Sequence, residues 1–105
     1  MYKAQNHLTI SAQAIEAARF NNQFVFNSGD TNPTLIRPKG IVFIDYLEVA
    51  SGSTVSIVDG DDDTVAAGIS SFDMTFTPLR LDHGFKVTGT VLMLRGFVIE
   101  GVLPN

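Results

Sequence analysis

The chain has 105 residues, of which 45% are hydrophobic and 17% charged, with a formal net charge of −4. That length suits one domain, which buries only about 60 to 70% of the surface its unfolded chain exposes. Lys and Arg occur singly, without the basic stripe that phosphate binding needs, so no nucleic-acid partner is expected; the absence of cysteine excludes disulfides, thiolate zinc sites and a Cys nucleophile.

Charged residues fall short of the roughly 25% typical of soluble domains. A low-charge surface favours association, so burial in an oligomer or larger assembly is expected to cover part of it; a neutral surface rich in Ser, Thr and Asn is the alternative. The first residues, Met1-Tyr2-Lys3-Ala4-Gln5-Asn6-His7, lack the apolar core of a signal peptide, and no apolar run approaches the ~18 residues of a bilayer span. Neither classical export nor membrane insertion is expected.

In chain order, residues 1–37 are rich in Asn, Gln and Ala and form an N-terminal arm and first strands, part of the same domain as the core that follows in 38–105. Leu8-Thr9-Ile10 and Gln23-Phe24-Val25-Phe26 read as strands, whereas Ser11 to Arg19 fits either a helix capped by Ser11 or an edge strand of small side chains. Asn27 to Pro33 is a surface loop by its Asn, Gly, Asp and Pro. From Gly40 to Ala50 apolar residues occupy both parities, Ile41, Phe43 and Leu47 on one and Val42, Ile44 and Tyr46 on the other, as in a strand covered on both faces.

Thr54 to Val58 alternates as a half-buried strand, and Asp59-Gly60-Asp61-Asp62-Asp63 supplies a hairpin turn into Thr64 to Ala67. The clearest alternation is Phe72 to Thr77, with Phe72, Met74 and Phe76 inward. Pro78 ends that strand, Asp82-His83-Gly84 reads as a turn, and strands follow at Phe85 to Thr88 and Thr90 to Val102, the last with a bend or bulge at Arg95-Gly96. Roughly eight or nine short strands spaced this way predict an all-β fold, an antiparallel β-sandwich of jelly-roll-like connectivity, with an N-terminal arm whose conformation is left open.

No motif for catalysis or a cofactor emerges. Asp59, Asp61 and Asp63 are the only calcium candidates, but the EF-hand pattern fails, with Thr64 and Ser70 where Gly and Glu belong, and a solvated turn accounts for the same residues. His7 and His83 lack metal-ligand spacing, there is no Gly-x-Ser-x-Gly, and the carboxylates Asp45, Glu48, Asp73 and Glu100 have no Trp platform beside them for a sugar. The chain is expected not to be an enzyme. Phe43, Phe72, Phe76, Phe85 and Phe97 read as core, while Phe20, Phe24 and Phe26, with Tyr2, are candidates for assembly contacts or for a second core layer.

The segments Gly40-Ile41-Val42-Phe43-Ile44, Thr54 to Gly60, Phe72 to Thr77, and Leu81-Asp82-His83-Gly84-Phe85-Lys86-Val87-Thr88-Gly89-Thr90 resemble, in that order, small β-sandwich virion proteins of tailed bacteriophages. Those proteins share a strand ending in Asp-Gly and a later Asn/Asp-x-Gly-Leu/Phe-x-Val turn into a Gly-Thr strand. The resemblance implies a capsid decoration (cement) protein, a homo-oligomer, favoured as a trimer, made in the host cytoplasm and located in the virion. Its partner would be the major capsid protein or another virion protein, and Met1 to Arg19 would be the arm reaching a neighbour. A ligand- or receptor-binding module of the phage tail is the alternative.

Overall fold

The computed structural model describes residues 9–74 and 77–104. Helix α1 (Ala12–Asn21) comes first, and Ser11 caps it: its hydroxyl accepts the Ala14 N–H at 3.1 Å, satisfying one of the helix's orphan donors. Of the two readings of this segment the helix therefore holds. Thr9 and Ile10, expected in a strand, have no regular structure, and Leu8 lies outside the described residues. Ile10 instead packs beneath the helix.

Seven strands follow among the described residues: β1 (Gln23–Phe26), β2 (Thr34–Glu48), β3 (Val55–Asp59), β4 (Thr64–Ile69), β5 (Phe72–Asp73), β6 (Leu79–Thr88) and β7 (Met93–Ile99). All pair antiparallel, in the order β1-β7-β2-β6-β3-β4, with β5 attached to the far end of β2. The pairings nest, β1 with β7, β2 with β6 and β3 with β4, which is the jelly-roll-like pattern. The sheet curls into a sandwich-like fold. Phe24 and Phe26 of β1 reach Phe85 of β6 at 5.7 and 5.9 Å between ring centroids, although two strands separate β1 from β6 in the sheet. The connections close over the same end, with Gly29 N–H on Val91 O, Val91 N–H on Asp30 O and Val87 N–H on Pro33 O.

Two cores lie on opposite faces of the sheet. The larger, inside the curl, gathers Val42, Ile44, Leu47, Val55, Ile57, Leu81, Phe85, Val87, Leu94 and Val98. The smaller lies between the outer face and α1, where Ala18 meets Ile41, Phe43 and Phe97, bordered by Ile15, Val102 and Leu103. Strand β2 thus needs apolar residues on both faces, as its doubly apolar sequence implied. It runs through position 37, so the arm and core segments share one strand.

Three local expectations are corrected. Leu47 does not share a face with Ile41 and Phe43: the register shifts between Ile44 and Tyr46, Asp45 bulges out, and the parity of the strand reverses, placing Leu47 with Val42 and Ile44. Within Phe72 to Thr77, strand pairing among the described residues covers Phe72 and Asp73; Met74 is solvent-facing rather than inward, though its N–H donates to Asp45 O at 2.8 Å, and Thr75 and Phe76 lie outside the described residues. Asp82-His83-Gly84 is not a turn. Asp82 pairs with Ile41 and Gly84 with Ile36, so β6 continues through it, and the positive φ of His83 and Gly84 (66° and 109°) bends the strand where the register of β2 shifts between Ile36 and Ile41.

Candidate functional site

Three places gather polar or exposed apolar chemistry. The first is the corner where the β3–β4 turn meets the bend of β6. Asp59 is buried, and its Oδ1 accepts the backbone N–H groups of Asp61 (2.8 Å) and Asp63 (3.1 Å), an Asx-type closure that Asp supplies because its short carboxylate reaches its own backbone. The Gly60 N–H donates to Asp82 O at 3.2 Å, so the Asp-Gly strand end and the Asp-x-Gly bend touch each other. Around them, Lys86 Nζ meets Asp62 at 2.6 Å, Arg80 Nε meets Asp82 at 3.1 Å, and His83 lies between Asp61 and the Pro104 carbonyl.

The calcium candidates Asp59, Asp61 and Asp63 share this turn. Asp59 points into its own loop and Asp61 toward His83, and among the described residues no three His, Asp or Glu side chains gather to hold a metal ion. The backbone N–H bonds to Asp59 Oδ1 and Asp82 O close the turn as a corner.

The second place was not singled out from the sequence. Asp45, the bulged residue of β2, has a side chain only 4% exposed and lies between two guanidinium groups: Arg19 Nη1 at 3.0 Å from the helix and Arg95 Nε at 3.1 Å from β7. Each arginine also lies over an aromatic ring, Arg19 over Phe97 at 4.9 Å and Arg95 over Tyr46 at 5.3 Å, while Phe97 stacks on Phe43. Glu16 sits 3.3 Å from Arg19 Nε as an ion pair without hydrogen-bond alignment. The cluster fastens α1 to the sheet. An acid inside the apolar run Gly40 to Ala50 was the available signal, but its partners lie 26 and 50 positions away.

The remaining sugar-site carboxylates have ordinary neighbours: Glu100 pairs with Arg37 at 3.0 Å, Glu48 lies 3.5 Å from the Tyr46 hydroxyl, and Asp73 is exposed on β5.

The third place is the outer rim formed by α1 and β1. Phe20, in the last turn of the helix, is 81% exposed, and Val25 of the edge strand β1 is 47% exposed. Phe24 and Phe26 point the other way and pack against the larger core, which is the second-layer alternative for those two. Tyr2 lies outside the described residues. Between the rim and β2, Asn21, Asn22 and Gln23 border a groove of about 280 Å³ over Phe24, closed at its far side by the Arg37–Glu100 pair.

No family model, curated protein or solved structure matches this chain. Among the described residues no helix is long and apolar enough to cross a membrane.

Proposed function

We propose that this chain is a structural virion protein of the capsid decoration type, a non-catalytic β-sandwich module that binds a phage shell and its own copies. The observation that carries the assembly half of this reading is Phe20, 81% exposed at the end of a helix leading directly into β1, the edge strand among the described residues. A large exposed aromatic beside strand N–H and C=O groups that no other described strand pairs is the chemistry of a protein contact, because one neighbour satisfies both at once. The low charge of the chain supports the same reading, and the resemblance to tailed-phage virion proteins supplies the shell. The partner is then the major capsid protein or another virion protein, the oligomer most simply a trimer, and the location the virion.

Light scattering on the full chain, with co-sedimentation on tailed-phage shells assembled without a decoration protein, tests this. Oligomers that pellet with shells support the reading; a stable monomer that stays in the supernatant overturns it. The tail ligand-binding reading is favoured by one feature, the groove bordered by the amides Asn21, Asn22 and Gln23. Binding of the labelled chain to host cells, lost on changing Asn22→Ala and Gln23→Ala together, would replace decoration with that reading.

A further inference from the structure

Beyond β7 the chain doubles back across the outer face of the sheet as a strap. The N–H groups of Val102 and Leu103 both donate to Lys39 O at 2.8 Å, and their side chains border the smaller core. One residue further, Pro104 O lies 2.9 Å from His83 Nε2, while Asp61 Oδ2 lies 3.0 Å from His83 Nδ1. A carbonyl and a carboxylate only accept hydrogen bonds. A neutral imidazole carries one N–H and one lone pair, so in either neutral tautomer one of these short contacts sets lone pair against lone pair. The imidazolium donates to both.

The surroundings favour that form. Asp61 and Asp62 face the ring's corner from the turn and Asp82 from β6, whereas the nearby cations Lys86 and Arg80 are engaged by Asp62 and Asp82. Partial burial works against the charge on His83, but the Pro104 carbonyl, then the hydrogen bond and charge of Asp61, and the charge of Asp82, outweigh it and raise its pKa above the ordinary 6.5. The sign follows. A folded pKa above the unfolded one means that the bonds are complete below about pH 6.5 and are lost as pH rises through the higher folded value.

We propose that His83 is a pH-operated clasp that, as imidazolium, ties the C-terminal strap and the acidic turn to the bend of β6, and on deprotonation lets go of the strap. The charged acceptor makes the stronger bond, so the neutral ring keeps Nδ1–H on Asp61 and releases the Pro104 carbonyl. This goes beyond the decoration reading and does not depend on it.

Imidazole nitrogen NMR of the full chain from pH 5 to 9 tests the clasp, together with amide exchange at Val102 and Leu103 normalised for base catalysis. His83→Asn serves as the control, because Asn tolerates the positive φ of this position but does not titrate. It also identifies which of the two histidine signals belongs to His7. The expected result is a doubly protonated ring titrating above pH 6.5 to the Nδ1–H tautomer. Protection at Val102 and Leu103 should fall about two- to tenfold through the same midpoint, the range one net hydrogen bond represents, and the control should lack that fall. A midpoint at or below 6.5, protection that does not change, or the same response in His83→Asn overturns the proposal.

Discussion

Asp45 shows how one residue joins three elements. Its bulge turns the carboxylate toward the helix side of the sheet, where Arg19 and Arg95 reach it from a helix and a strand that are otherwise held together mainly by apolar contact. Removing the acid leaves a cationic pair at a mostly buried site. Asp45→Ala is therefore expected to destabilise the fold by about 3 kcal/mol, the low end for breaking a buried ion pair, because Arg95 keeps 35% of its side chain in solvent. A shift of the urea midpoint without a change in slope would show it, and a loss below about 0.5 kcal/mol would mean that the cluster does not hold the helix. Phe24 and Phe20 separate in the same way. Phe24→Ala, which empties a partly buried position against Phe85, should cost about 2–3 kcal/mol in chemical denaturation and leave the oligomeric state unchanged.

At the level of elements, two strands owe their shape to glycine. Gly96 of β7 lies so close to β2 that a Cβ there would sit 1.9 Å from Phe43 O, and one at Gly84 would sit 2.1 Å from Leu35 O. These are backbone atoms that no rotamer change moves away. Gly96→Ala is expected to cost more than about 3 kcal/mol and to yield little soluble protein, whereas Gly29→Ala, at positive φ but facing open space, should cost about 1 kcal/mol in thermal unfolding. The close approach at Gly96 was thus legible, since a glycine inside an apolar strand signals it, whereas the bulge expected at Arg95-Gly96 falls on the facing strand, at Asp45 of β2. The bend in β6 was not legible. Asp-His-Gly has the local chemistry of a turn, and only the partner residues on β2, Ile36 and Ile41, reveal that the chain continues as strand. The alternation of Phe72 to Thr77 misled at Met74: period two shows which residues suit a pleated face, but Met74 faces solvent just beyond Phe72 and Asp73, which pair in register with β2.

For the whole molecule, the proposed role turns on what covers the rim of α1 and β1. Phe20→Lys removes an exposed aromatic that the monomer does not use, so stability should change by less than about 0.5 kcal/mol while light scattering shifts toward monomer and shell binding drops. An unchanged oligomer would place the contact elsewhere on the surface. Among the sequence-chosen contact candidates, residue type alone did not separate Phe20 from Phe24 and Phe26. All three are phenylalanines amid Asn and Gln, and they part only when the helix ends at Asn21 and the strand begins at Gln23.

The all-β class, most strand positions and the doubly covered β2 follow from the sequence by itself, because periodicity and turn chemistry act over a few neighbouring residues; Ser11 offered a cap, but the sequence left helix and edge strand equally open there. The Asp45 cluster, the unbroken course of β6, the inward turn of Phe24 and Phe26 and the strap over the smaller core were decided by tertiary structure alone. Each depends on a partner from a distant part of the chain, and burial, register and charge pairing are set only when the sheet curls and brings those partners together.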